Sequence, residues 1–260
     1  MNKTFSHSGS TGDVISSIAV VNILGGGDYY LRLNNMDNIA RSIGWGNAGR
    51  HSGRMTQADF DFLSPLMSIQ PMISAFRPWN GEHIDYEFEK AAHHHNPPGW
   101  PRSFTRQYAD AMGLDLESNH LALDVHAFLH VDARYTVPNR PIMIARNKWY
   151  LDGVPDPSKV EAWDVWIESG IADQAFYCGL VEEHAWFCDT MKIDIPHIKT
   201  ENALELARYM NGAEMVIANQ SLAGTMAVSM GKTCWIETRK NTPLTNNEIY
   251  YPYKVNAHYF

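Results

Sequence analysis

Short apolar runs alternate with amphipathic stretches between residues 141 and 236, and this alternation restricts the fold more than any other feature of the sequence. The runs have the length and the content of β-branched and aromatic residues that buried strands have. Predicted strands cover 141–145, 175–178, 214–218 and 233–236, and predicted helices cover 160–169, 202–211 and 221–230, with a further helix that starts at Glu182. Such an alternation is typical of a doubly wound parallel sheet.

The N-terminal end of the chain contains a shorter pattern of the same kind. A strand is predicted over 3–7, a small glycine-bearing turn over 8–13, a helix over 14–21 and a second strand over 28–33. Gly25 to Gly27 stand where the helix must end, because glycine readily takes the left-handed conformation that closes a helix. Strand, turn, helix and strand in this order form the βαβ unit from which parallel sheets are built.

The middle of the chain, about 34–139, is less regular. Thr56 is placed to cap a helix that runs to Met67, and 103–112 is predicted as a second helix. A boundary at 138–140 divides the chain into an α/β domain over 1–139 and another over 140–260. A return of the C-terminal tail to the first domain is left open.

Composition excludes some classes of protein. The formal net charge of −8 opposes duplex binding, which depends on Lys and Arg neutralising phosphates. Three cysteines without a short spacing predict neither a zinc site nor a full set of disulfides, which favours a reducing compartment such as the cytoplasm. The sequence also has neither a secretory signal nor an apolar run of the ~20 residues that span a bilayer.

Ligands of open parallel sheets bind beyond the carboxyl ends of the strands, where helix N-termini offer free amides to phosphate. Asp13 occupies such a position in the first half, behind Ser10, Thr11 and Gly12, which are predicted to form a loop that binds phosphate or another ligand. A carboxylate there is placed to take a proton from an attacking hydroxyl. Aspartate also favours this position as a helix cap, and spacing alone favours the cap.

The second half has three candidate turns of this kind. Arg146 and Lys148 follow the first predicted strand, where they either hold phosphate or remain solvated loop charges. Further candidates for binding a ligand that carries phosphate are Gly179, Glu182, Glu183, Asn219, Gln220 and Ser221. Each has an ordinary structural interpretation, since glutamates in a first helical turn complement the helix dipole and serine is a common N-cap.

Several motifs of other enzyme classes do not occur. The run His93 to His95 lacks the accompanying ligands of a metal site, and no Asp-x-Asp pair is present to hold a metal-bound diphosphate. Neither a Gly-x-Ser-x-Gly elbow nor a Walker phosphate loop occurs, and the glycines of the first turn do not follow the dinucleotide pattern. The sequence therefore predicts no metal and no cofactor.

Taken together, the ordered motifs resemble the heptosyltransferase-like glycosyltransferases of GT-B fold, particularly small bacterial and phage members. The resembling stretches are 7–15, 24–27, 179–187, 204–208 and 218–232, and the match is weak over about 34–120. The resemblance implies two Rossmann-like domains that face each other across a cleft, with the N-terminal domain pared down. It also implies a nucleotide-sugar donor held by the C-terminal domain and an acceptor held by the N-terminal one.

For individual residues, the resemblance implies that Asp13 is the base that deprotonates the acceptor hydroxyl. Arg146 and Lys148 correspond to contacts with the donor phosphate, and Glu182 or Glu183 to a contact with ribose. The family usually has an acidic residue, a small residue and glycine, with a later histidine, where this chain has Gln220, Ser221, Leu222 and Thr225. This departure argues against ADP-heptose as the donor.

The resulting hypothesis is an inverting, metal-independent glycosyl transfer from a nucleotide diphosphate sugar. One alternative is a phage-type transferase that glycosylates modified bases in DNA, with Arg54, Arg77, Arg102 and Arg106 along one face. Another is a non-catalytic protein that binds a nucleotide or a sugar, which the altered residues between 220 and 225 favour.

Overall fold

The computed structural model describes residues 2–34, 55–93, 104–114, 127–147, 161–237 and 257–259. Its strands are β1 (Lys3–His7), β2 (Gly27–Leu31), β3 (Ile73–Pro78), β4 (Tyr86–Glu87), β5 (Ile142–Ala145), β6 (Ala175–Cys178), β7 (His197–Ile198), β8 (Met215–Asn219), β9 (Cys234–Glu237) and β10 (Ala257–Tyr259). Its α-helices are α1 (Thr11–Ile23), α2 (Gln57–Met67), α3 (Phe104–Ala111), α4 (Glu161–Glu168), α5 (Ile171–Gln174), α6 (Val181–Met191), α7 (Ala203–Gly212) and α8 (Leu222–Ser229). A 3-10 helix covers Phe88–His93.

The strands form two separate parallel sheets, as the α/β prediction requires. The first sheet has the order β3-β2-β1-β4, and the second has the order β10-β9-β8-β5-β6-β7. The βαβ unit at the N-terminus and the alternation between 141 and 236 are both confirmed. The division at residue 139 stays a prediction, and the last described strand, β10, joins the second sheet rather than the first.

Strand β3 was not predicted, because its pattern is that of a sheet edge. Only Ile73 and Phe76 are buried in this strand, and Arg77 is exposed. Strands at the edge of a sheet carry fewer apolar residues than the central strands of a parallel sheet. They are therefore difficult to predict from composition alone. Strands β4 and β7 are only two residues long and leave even less of a pattern.

Helix α1 is buried along most of its length, and this burial explains its uniformly apolar sequence. All residues from Val14 to Val21 are buried, because the helix packs against α3 and α8 and shares a hydrophobic core with Phe5 of β1. Helix α2 packs against α7. The two sheets therefore share one hydrophobic core through these helices.

Helices α1 and α8 lie side by side and run in the same direction. Their N-termini are in contact, and their C-terminal residues Asn22 and Met230 both line one cleft of about 450 Å³ at the opposite end. Since each helix follows the carboxyl end of a strand of its own sheet, the two carboxyl edges lie on the same side of the protein.

Residues 127–137 belong to the first predicted domain but pack on helices of the second half. The amides of Phe128 and Leu129 donate to the Ser229 carbonyl oxygen, and the amide of Tyr135 donates to the Arg208 carbonyl oxygen. Across the parts of the chain that the structure describes, there is no helix long and apolar enough to cross a membrane.

Candidate functional site

In each sheet the order of the parallel strands changes direction at one strand, β1 in the first sheet and β5 in the second. In the first sheet β2 and β3 lie on one side of β1 and β4 lies on the other, while in the second sheet β6 and β7 lie opposite β8 and β9 across β5. Crevices for ligands form at such points. His7 and Asp13 lie at and after the end of β1, and Arg146 and Asn219 stand at the ends of β5 and β8.

The N-terminus of α1 meets the N-terminus of α8. A methyl group placed on Gly12 would lie 3.3 Å from the Thr225 hydroxyl oxygen and 3.8 Å from the Leu222 backbone nitrogen. The structure therefore brings together the predicted loop of Ser10, Thr11 and Gly12 and the predicted donor-binding turn that ends at Ser221. A side chain at position 12 would be in tight contact with Thr225, so the small size of glycine suits this close approach.

Asp13 closes a capping box at the start of α1. Its Oδ2 accepts a hydrogen bond of 2.9 Å from the Ser10 amide, and the Ser10 hydroxyl accepts one of 3.4 Å from the Asp13 amide. Burial raises the pKa of the Asp13 carboxyl, and the hydrogen bonds from Ser10 partly oppose that shift. The N-cap residue is Ser10 and not Asp13, but Asp13 takes part in the cap as the third residue of the helix. A carboxylate in this position with a raised pKa is still able to take a proton.

Arg146, a predicted phosphate contact at the carboxyl edge of the second sheet, is paired with other side chains of the protein. Its side chain is buried and forms a fork-like ion pair with Glu237 at the end of β9, in which Nη2 lies 2.8 Å from a carboxylate oxygen. Its guanidinium carbon also lies 4.9 Å from the centre of the Trp186 ring. Among the described residues, its Nη1 has no hydrogen-bond partner. Arg146 is thus not a solvated loop charge.

Asn219 connects the ends of the two central strands of this sheet. Its side-chain oxygen accepts from the Asn147 amide at 3.2 Å, and its side-chain nitrogen donates to the Asn147 carbonyl oxygen at 2.7 Å. The side chain is fully buried. Asn219 therefore holds the loop after β5 in register with the start of α8.

Ser221 precedes α8 in an extended conformation, and its side chain makes no capping hydrogen bond. By contrast, Ser10, Thr56 and Asn202 each accept a hydrogen bond from an amide in the first turn of α1, α2 and α7. Because a helix start leaves amides without an intrahelical partner, the start of α8 retains N–H groups that its own N-cap side chain does not satisfy.

The glutamates of α6 differ from each other. Glu183 is buried and its Oε2 accepts from the Leu180 amide at 3.3 Å, as a helix-capping residue does. Glu182 is exposed.

The turn before α6 needs glycine at position 179. A methyl group on Gly179 would lie 2.8 Å from the Tyr177 ring.

Some predicted residues lie outside the part of the chain that the structure describes. They are Lys148, Arg54, Arg102, His94 and His95, together with the side chains of His93 and Arg106. Of the residues proposed for a DNA-binding face, Arg77 is described and is exposed. Within the described residues, no group of three or more His, Cys, Asp or Glu side chains is arranged to hold a metal ion.

Sequence reasoning missed Glu237, His7 and Tyr108. Glu237 is the buried partner of Arg146, and His7 contacts Tyr108 through its Nε2 at 3.0 Å. His7 and Glu237 are each the last residue of a strand at the carboxyl edge, and a polar residue in that position is a signal that sequence alone offers. Tyr108 carries no such signal, because its partner is 101 residues away in the chain.

Comparisons with known proteins give similarity in structure but not in sequence. No family model matches the chain, and no curated protein matches it. A family 9 glycosyl transferase from Veillonella parvula matches over 99% of this chain and 84% of its own, with 12% identity and a TM-score of 0.60. The E. coli heptosyltransferase WaaC, in a structure with ADP, matches over 100% and 92%, with 9% identity and a TM-score of 0.59.

A third solved structure, the E. coli ADP-heptose heptosyltransferase II, matches over 100% of this chain and 90% of its own. Its identity is 12% and its TM-score is 0.52. The resemblance that the motifs indicated is therefore confirmed at the level of the fold. The chain has the α/β fold of GT-B glycosyltransferases of the heptosyltransferase type.

Proposed function

We propose that this protein is a glycosyltransferase that moves a sugar from a nucleotide diphosphate donor to an acceptor hydroxyl. The contact between the starts of α1 and α8 carries this proposal. It brings Gly12, the neighbour of Asp13 in the chain, against a helix N-terminus whose first amides are not capped by the Ser221 side chain. Glycosyl transfer needs these two groups, a base for the acceptor and a positive dipole for the leaving diphosphate.

The start of α8 is the proposed site of the donor diphosphate. The amides and the helix dipole at an N-terminus attract phosphate groups. Two of the solved structures with this fold, both of WaaC, contain ADP or an ADP-sugar analogue. Gln220 and Ser221 would contact the same group, and Glu182, exposed at the start of α6, is the proposed ribose contact.

Asp13 is the proposed general base. The acceptor hydroxyl gives its proton to the Asp13 carboxylate while its oxygen forms a bond to the anomeric carbon of the donor sugar. The bond from that carbon to the diphosphate oxygen breaks, and the nucleoside diphosphate leaves with the electron pair. Attack from the face opposite the leaving group inverts the anomeric centre, and no metal takes part in the proposed step.

The phosphate contact that the resemblance implies for Arg146 stays a prediction, and we propose that Arg146 also supports the edge of the sheet. Its ion pair with Glu237 and its contact with Trp186 favour this supporting role. The helix amides and Lys148, which lies outside the described residues, then balance the charge of the leaving group.

The experiment is a panel of UDP-, GDP- and ADP-sugars, in which hydrolysis or transfer and thermal stabilisation are both measured. We expect turnover of one donor class, insensitivity of that turnover to EDTA and stabilisation by the matching nucleoside diphosphate. Stabilisation without turnover across the panel would instead indicate a binding protein.

Free cysteines at positions 178, 188 and 234 agree with a cytoplasmic site of action, which localisation of the tagged protein would test.

A further inference from the structure

Gly9 is held between a histidine and the proposed base. A methyl group on Gly9 would lie 2.5 Å from Cε1 of His7 and 2.8 Å from Oδ2 of Asp13, distances that real side chains do not adopt. The ring of His7 and the carboxylate of Asp13 therefore both lie against the same side of Gly9. The residue that fixes Gly9 consequently influences where Asp13 lies.

His7 fixes Gly9 through a hydrogen bond. Its Nδ1 accepts from the Gly9 amide at 2.8 Å, which places the ring proton on Nε2. Nε2 in turn donates to the Tyr108 hydroxyl oxygen at 3.0 Å. His7 is 3% exposed, and burial lowers its pKa to about 3, so the neutral ring that this arrangement needs persists at ordinary pH.

Tyr108 is itself anchored to the helix that carries Asp13. It lies on α3, where the Thr105 hydroxyl donates to the Ser16 carbonyl oxygen of α1 at 3.0 Å. The rings of Phe88 and His7 pack edge-on against Tyr108, with centroids 5.4 and 5.3 Å away. The His7 ring thus has one well-defined orientation, because contacts on both nitrogens and on its faces oppose rotation.

We propose that His7, held by Tyr108, is the positioning residue of the active site, which locks the Gly9 turn so that the Ser10 amide holds the Asp13 carboxylate towards the acceptor hydroxyl. The inference rests on the proposed function, since Asp13 must be the base for this positioning to affect catalysis. His7 itself makes no contact with a reacting atom in this scheme.

Asn and Leu variants of His7 separate the turn contact from simple burial. The amide side chain introduced by His7→Asn still places an oxygen near the Nδ1 position, whereas His7→Leu keeps the volume and removes the acceptor. We expect kcat to fall about 10²-fold in His7→Leu and less than about 10-fold in His7→Asn, with the KM for the donor within about twofold in both. Equal loss in both variants, or loss expressed in donor KM, would contradict the proposal.

The Asp13→Asn background shows whether His7 acts through Asp13. If it does, His7→Leu has no further effect on the residual turnover of Asp13→Asn, because the group that it positions is already gone. Multiplicative losses in the double variant would overturn the positioning role.

Tyr108→Phe is expected to lower kcat about 10-fold. Its matched control is Tyr29→Phe, which loses a buried hydroxyl contact of 2.7 Å with Ser17 and should retain kcat.

Nitrogen-15 and amide-proton NMR give a readout that is independent of turnover. We expect His7 to show a protonated Nε2 and a bare Nδ1 at pH 7, and the Gly9 and Ser10 amides to be protected from exchange in the native protein and in His7→Asn but not in His7→Leu. A protonated Nδ1, or protection that persists in His7→Leu, refutes the inference. If no nucleotide sugar is turned over but these signals appear, the proposed function fails while the turn contact stands.

Discussion

The polar residues at the carboxyl edges of the two sheets have different partners. At the second edge Arg146 and Glu237 bind each other, and Asn219 binds the Asn147 backbone, so the side chains are used within the protein. At the first edge Asp13 retains a carboxylate that is only partly buried and has a raised pKa. In the proposed reaction the first edge offers a side chain as the base, and the second offers backbone amides.

This difference indicates how the two halves divide the proposed reaction. A base must be a side chain, because backbone groups do not take protons at ordinary pH. An anion, in contrast, is held well by amides at a helix start, which stay fixed without a charged side chain. The buried ion pair and the Asn219 contacts would then keep the start of α8 in place.

The largest effect is expected from Asp13→Asn. We expect turnover to fall about 10²- to 10⁴-fold, because the amide cannot take the acceptor proton, while donor affinity is retained. Its oxygen still accepts from the Ser10 amide, so the helix cap survives. Steady-state kinetics and nucleotide titration measure the two quantities.

Asp59→Asn is the matched control, since Asp59 occupies the same place in the capping box of α2. It should leave turnover unchanged.

The native protein should gain activity as the pH rises through a pKa above the ordinary aspartate value, because the base must be ionised and burial raises its pKa. An acid limb that is unchanged in Asp13→Asn would assign the base elsewhere.

A strong effect on stability is expected from Glu237→Gln. The change leaves the Arg146 charge buried without its partner, which should lower the free energy of unfolding by about 3–5 kcal/mol in urea denaturation. The double variant Arg146→Met/Glu237→Leu removes both charges and should recover most of that loss. Donor affinity retained in the double variant would support the amide site, and its disappearance would restore Arg146 as a phosphate contact.

An intermediate effect concerns the acid side of the stability profile. Burial lowers the pKa of His7 from about 6.5 to about 3, so below pH 6.5 the unfolded chain binds a proton that the folded chain does not. Stability from this group is therefore lost progressively as the pH falls from about 6.5 towards 3. His7→Asn should flatten the profile in that range, and parallel profiles would show that His7 is not buried as described.

The smallest effect compares the two helix starts directly. Ser10→Ala should lower the free energy of unfolding by about 1 kcal/mol, because Ser10 accepts the capping hydrogen bond of α1. Ser221→Ala should lower the free energy of unfolding by only a few tenths of a kcal/mol, since the Ser221 hydroxyl does not cap α8. Thermal and urea unfolding measure both, and equal costs would mean that the start of α8 is capped in solution.

Local patterns were enough to predict the central strands and the helices that follow them. The predicted bounds of β1 and β6 coincide with the observed ones, and the Thr56 cap of α2 is confirmed. The prediction started α1 three residues late, because Thr11 and Gly12 were assigned to the turn. Strands β3 and β10 were missed, since a sheet edge requires less apolar burial than a sheet centre.

The sequence alone determined that the chain forms two parallel α/β sheets with an aspartate at the first helix start, because strand length, apolar content and capping act over a few residues. Only the tertiary structure decided that Arg146 pairs with Glu237, that Gly12 touches the start of α8, and that His7 holds the turn before Asp13. The first two contacts join residues far apart in the chain, and the third depends on a buried ring whose orientation is set by a distant helix. Packing decides such contacts, because no local pattern of residues records which distant surfaces will meet.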